Sequence, residues 1–179
     1  MMNAALFIGM FLGRTEDASS EDIKRPVLRF EVLGEKKEGE PWFHEVRVLF
    51  SERTLIRNQV GFRPGELFFI SGEVCACSEH VLVNADSAMK LKEQKAPLPS
   101  LVAGRADLVH LGMSYNWVVL SGNVKGSEIE LAHPVPIRGS VVSVSKVPLT
   151  PPPEDPGEYV VAGQIHLGGI AVSEARRLA

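Results

Sequence analysis

The chain has 179 residues, 45% hydrophobic and 23% charged, with a formal net charge of −3. These are ordinary values for a soluble globular protein of one or two domains, long enough to bury roughly 70% of its unfolded surface without disulfides or metals. No stretch approaches the ~20 apolar residues of a membrane span, and the charge balance does not advertise a polyanion binder. Residues 1–95 hold 13 basic and 15 acidic groups and residues 96–179 hold 6 and 7, so a cationic groove has to come from local clustering.

In chain order, Leu6 to Leu12 reads as a mostly buried first strand, after an opening that lacks the basic leader of a signal peptide. A polar loop follows from Arg14 to Lys24. Val27 to Leu33 alternates, with Leu28, Phe30 and Val32 on one face and Arg29 and Glu31 on the other. A solvated connection from Gly34 to Pro41 leads into Trp42 to Phe50, where Val46 and Val48 face inward and Glu45 and Arg47 outward. Ser51 suits the N-cap of a short helix through Val60. Arg63-Pro64-Gly65 turns into a strand from Glu66 to Val74, and Val81 to Val83 opens the next. Lys92 to Ser100 is a proline-containing linker, and Leu101 to Ser114 reads equally as a short helix or as the start of a strand.

Past the midpoint the pattern returns. Leu6-Phe7-Ile8-Gly9-Met10-Phe11-Leu12-Gly13 is echoed by Val118-Val119-Leu120-Ser121-Gly122-Asn123-Val124-Lys125-Gly126. Likewise, Gly65-Glu66-Leu67-Phe68-Phe69-Ile70-Ser71-Gly72 is echoed by Gly157-Glu158-Tyr159-Val160-Val161-Ala162-Gly163. Each copy closes with an alternating strand and a basic tail. The element order of the first copy (three strands, a helix, two strands) is that of a five-stranded OB barrel. Gly126 and Gly157 lie closer in sequence than Gly13 and Gly65, which leaves no room for the helix. The loop Pro148 to Pro156, with five prolines, is unsuited to an inner strand. The expectation is an all-β protein of two tandem OB modules, the second shortened and partly incomplete: 1–92, a linker over 93–100, and 101–179.

Three stretches carry a resemblance that covers about half the chain. They are Asn3-Ala4-Ala5-Leu6-Phe7-Ile8-Gly9 with Leu12-Gly13-Arg14, then Val48-Leu49-Phe50 after the cluster Trp42-Phe43-His44, then Phe62-Arg63-Pro64-Gly65-Glu66-Leu67-Phe68-Phe69-Ile70-Ser71-Gly72. Together they resemble the bacterial single-stranded DNA-binding protein family. That resemblance implies a barrel which wraps unpaired strands by stacking bases on rings and holding phosphates with Lys and Arg, without reading sequence. It implies a base-stacking role for Phe50, although strict alternation puts Phe50 on the core face with Val46 and Val48. Trp42 and Phe43 read either as a stacking platform or as a lid over the barrel core. Glu45 stands where the family carries a histidine used in oligomerisation.

The expected nucleic-acid contacts are therefore Trp42, Phe43 and Phe50 for bases and Arg14, Arg29, Arg47 and Arg63 for phosphates. The competing reading of Arg29 and Arg47 is surface ion pairing with Glu31 and Glu45. Trp117 and Tyr115 are expected to pack between the modules. Cys75-x-Cys77-x-x-His80 resembles a partial zinc set but lacks a fourth ligand, and no metal or cofactor is expected. Two cysteines so placed are poor disulfide partners, which suits a reducing cytoplasm. No nucleophile elbow, metalloprotease helix or phosphate-cradling loop is present, so the reading is non-enzymatic. It is a binder of single-stranded nucleic acid, DNA ahead of RNA, with no membrane partner, assembled as a homo-oligomer and a dimer in the first place. The alternative is an OB-fold protein-interaction or assembly module that has lost nucleic-acid binding.

Overall fold

A computed structural model describes residues 2–15, 27–37, 40–50, 61–77, 79–91, 100–111, 115–131 and 146–178. The helix expected over residues 51–60, the linker 92–99 and the run 141–145 lie outside the described residues, as do Lys24, Arg25, Arg53 and Arg57.

The first five strands are β1 (Asn3–Thr15), β2 (Val27–Lys37), β3 (Glu40–Phe50), β4 (Leu67–Cys77) and β5 (Val81–Lys90). They close on themselves in the order β1-β2-β3-β5-β4-β1, antiparallel except for the parallel β3–β5 pair. A second set follows: β6 (Asn116–Lys125), β7 (Glu128–Leu131), β8 (Lys146–Thr150), β9 (Gly157–His166) and β10 (Gly169–Arg177). It closes as β6-β7-β8-β10-β9-β6, again with one parallel pair, β8–β10. The chain thus holds two OB barrels, the second built on short β7 and β8.

The second barrel is closed, not incomplete as the proline content suggested. Pro148 sits inside β8 opposite Glu128. A proline in a paired strand forfeits one donor, but the next residue carries the ladder: Leu149 donates its N–H to the Ser127 carbonyl at 2.8 Å. The proline-rich loop therefore starts after β8.

Alternation explains the interiors. Phe7, Phe30, Phe50 and Phe68 are fully buried in the first barrel, and the rings of Phe30, Phe50, Phe62 and Phe68 meet at 4.7–6.5 Å in tilted and edge-on pairs. Such pairs add about 0.5–1.5 kcal/mol each beyond area burial. Smaller aliphatic side chains fill the second barrel, among them Leu120, Ile129, Val147, Ile165 and Ile170.

Strands β1 and β6 pair antiparallel and fuse the barrels into one ten-stranded sheet. Asn3 lies opposite Leu120, Ala5 opposite Val118 and Phe7 opposite Asn116. Asn3 and Asn116 stand at the same distance before Gly9 and Gly122, so the seam has a local two-fold through the Ala5–Val118 pair. The two asparagines do the same work. Asn3 exchanges hydrogen bonds with the backbone of Val74 on β4, at 2.7 and 2.8 Å. Asn116 does so with Ile165 on β9, at 2.9 and 3.1 Å, and also donates to the Leu33 carbonyl of the first barrel at 3.2 Å.

The ambiguous segment after the linker is a helix, α1 (Leu101–Leu111). Ser100 caps it, its hydroxyl accepting the Ala103 N–H at 3.1 Å. Leu108 is buried against Ile8 and Met10 on the outer side of the first barrel. Gly104 faces Met10 and the Gly65 carbonyl so closely that a Cβ would clash with both. Among the described residues no helix is long and apolar enough to cross a membrane.

Candidate functional site

Strands β2 and β3 place Leu28, Phe30, Val32, Val46 and Val48 inside, so Arg29, Glu31, Glu45 and Arg47 project from the outer face. The register sets Arg29 directly opposite Arg47 and Glu31 opposite Glu45. Like charges facing across strands are destabilising. Glu45 offsets this by accepting two hydrogen bonds from Arg29 on Oε1, at 2.6 and 2.8 Å. Its other oxygen lies 3.5 Å from Arg47 Nε and 3.3 Å from His80 Nε2. Burial pushes the Glu45 carboxyl up, but Arg29, His80 and Arg47 together outweigh it and hold it below the usual carboxylate range.

His80 was not among the residues expected here; its spacing from Cys75 and Cys77 resembles only a partial zinc set, for which no metal was expected. It sits at the tip of the β4–β5 hairpin, and parallel pairing of β3 with β5 brings that tip beside Glu45. Cys75 is buried, its thiol donating to the Leu82 carbonyl at 3.5 Å. Among the described residues no group of three or more His, Cys, Asp or Glu could hold a metal ion.

The other half of this face is covered by α1. Arg105 donates to both oxygens of Glu31, at 2.6 and 3.0 Å, and its guanidinium lies 5.3 Å from the Phe43 ring centroid. Phe43 thus packs beneath the helix with one face against a cation. Sequence reading missed Arg105 because the pairing spans 74 residues and the helix itself was ambiguous.

The remaining expected contacts separate. Phe50 is 1% exposed, locked against Phe30 and Phe62 inside the barrel, and offers no face to a base. The inward parity of β3 decides its position, and the stacking role implied by the resemblance is corrected. Trp42 is half-buried at the seam, its ring 4.9 Å from His44 and 4.6 Å from His166 of β9. Arg14 at the end of β1 and Arg63 in the turn before β4 are both exposed. Of the four arginines, the register makes direct cross-strand neighbours of Arg29 and Arg47.

His44 is 2% exposed and both its ring nitrogens lack a hydrogen-bond partner among the described residues. Burial, reinforced by the neighbouring His166, pulls its imidazole down to about 4. Trp117, expected to pack between the modules, is instead 49% exposed on the outside of the seam, directly opposite Leu6.

No protein-family model matches the sequence, and no curated protein does. Among solved structures, the chain is similar to the wild-type single-stranded DNA binding protein from Thermus aquaticus. The two share 14% identity over 99% of this chain and 93% of that one, with a TM-score of 0.54. A deletion mutant of the same protein gives the same identity and TM-score over 99% and 95%. At this level of identity the likeness is one of fold: two OB barrels in one chain, matched over nearly the whole length of both.

Proposed function

We propose that this chain binds single-stranded nucleic acid, DNA ahead of RNA, without catalysis, through the outer face of β2 and β3. One observation carries the reading: Arg29 and Arg47 face each other across two strands of a barrel, which sets two guanidinium groups side by side as a polyanion requires. The shared fold with a single-stranded DNA binding protein supports it. In this reading phosphates are held by Arg29 and Arg47, with Arg14 and Arg63 extending the path. The half-buried ring of Phe43 on this face, and that of Trp42 where β3 meets the seam, supply what stacking there is. Two barrels with one closing order and equivalent Asn clamps further suggest an ancestral barrel present twice.

The test is titration with oligo-dT at low and moderate salt, following tryptophan fluorescence in a Trp117→Phe background so that Trp42 alone reports. Binding that weakens with salt is expected, and Arg29→Ala with Arg47→Ala lowers affinity at least tenfold and flattens the salt slope by about two. No quenching and no retention of the oligonucleotide at micromolar protein in low salt sinks the proposal.

An exposed apolar strip favours assembly as well. Leu6 (38% exposed) and Trp117 lie opposite each other, and Phe69 links Tyr115 (44%) to Met89 (58%). In an isologous contact the same patch of two copies meets, which would cover these side chains on both at once. We assign it to a second copy of the chain. Sedimentation of Leu6→Lys with Trp117→Lys checks this: a dimer in the parent and a monomer in the variant is the expected result.

A further inference from the structure

We infer that Arg29, Arg47 and His80 form a phosphate-binding centre whose resident anion is Glu45, and that Glu45 sets how tightly the face grips a nucleic-acid backbone. The inference rests on the proposed function and deepens it by naming the gripping atoms and the group that restrains them.

Three observations lead there. Donors from three separate strands or hairpins converge on one carboxylate, with Glu45 Oε1 taking Arg29 and Oε2 facing Arg47 and His80. All three donor side chains keep a solvent-facing side, at 38%, 26% and 30% exposure, while Glu45 between them is at 18%. An incoming anion therefore meets the donor groups before it meets Glu45. Arg29 also spends only Nε and Nη2 on Glu45, which leaves further guanidinium N–H for a second acceptor. A phosphodiester, with its two unbridged oxygens, competes for the donors that the two Glu45 oxygens hold.

The electrostatic consequence is specific. Arginines already neutralised by an internal carboxylate neutralise fewer phosphates and displace fewer of the cations condensed on DNA, so Glu45 lowers both the affinity and its salt dependence. Removing that carboxylate while keeping its shape releases the donors that Glu45 holds. His80 enters as a third donor from the β4–β5 hairpin, which ties the hairpin tip to the same phosphate.

The test compares Glu45→Gln, Glu158→Gln as an exposed carboxylate on the second barrel, and Glu45→Gln in the Arg29→Ala, Arg47→Ala background. Glu45→Gln is expected to tighten oligo-dT binding roughly five- to tenfold and to steepen the log affinity against log salt slope by about one to two. Glu158→Gln changes affinity less than twofold, and the Glu45→Gln gain disappears without the arginines. A gain equal to that of Glu158→Gln, or one that survives loss of both arginines, overturns the inference.

A second measurement needs neither a variant nor DNA. Titrating inorganic phosphate into the parent protein should shift the NMR signals of the Arg29 and Arg47 side-chain N–H groups and the His80 ring together, at one apparent affinity. Shifts scattered over unrelated basic residues, or none, overturn the site. Grouped shifts in a protein that does not retain oligo-dT leave the phosphate centre standing and defeat the nucleic-acid reading alone.

Discussion

In the first barrel β2 and β3 run eleven residues each and carry Arg29, Glu31, Glu45 and Arg47 outward. In the second barrel the strands in the same places, β7 and β8, are four and five residues long and show Glu128, Glu130 and Lys146 on the side away from buried Ile129 and Val147. Both barrels close by one strand order and are pinned by one asparagine device. Among the described residues the closing order is common to both barrels, while the facing arginine pair stands on the first. Closure of a five-stranded barrel is set by inward side chains and ladder hydrogen bonds, which tolerate changes outside.

The asparagines give the sharpest way to probe this equivalence. Asn116→Ala strips three hydrogen bonds from buried backbone groups of Leu33 and Ile165 and should cost about 3 kcal/mol. Asn3→Ala strips two from the Val74 backbone at a clamp where Asn3 itself is half-buried, and about 1–2 kcal/mol is expected. Chemical denaturation measures both. Equal losses would mean that the extra bond from Asn116 to Leu33, which crosses between barrels, contributes nothing.

A smaller effect distinguishes the seam from either barrel. His44 is held near pKa 4 in the folded protein, whereas an unfolded histidine titrates near 6.5. As pH falls through that window the unfolded chain takes up the proton first, so stability is lost from about pH 6.5 downward and the loss levels off below about 4. Between pH 7 and 5.5 this amounts to about 1 kcal/mol. His44→Leu should remove that part of the pH dependence and leave the remainder, read as the difference between the two denaturation curves.

Much of the fold was legible in the sequence. Alternation in β2 and β3 gave the inward and outward sets correctly, including Arg29 and Arg47, because a half-buried strand has to alternate. Recurrence of the Leu6–Gly13 and Gly65–Gly72 patterns gave the two-barrel plan. The failures share a cause: each depended on contacts distant in sequence. Pro148 reads as a strand breaker until Leu149 is seen donating to Ser127 across the β7 turn. Arg105 gains its meaning from Glu31, and His80 from Glu45. Phe50 was misjudged in the other direction, since the resemblance argued for exposure where the local parity already argued for burial.

The seam between β1 and β6 changes how this molecule depends on concentration. Two separate barrels sharing such an edge would part on dilution, whereas here the partner edge is tethered and its meeting is unimolecular. Substitutions in one barrel also need not be mirrored in the other. That freedom allows an asymmetric face such as Arg29 and Arg47 on one side and Glu128 and Glu130 on the other.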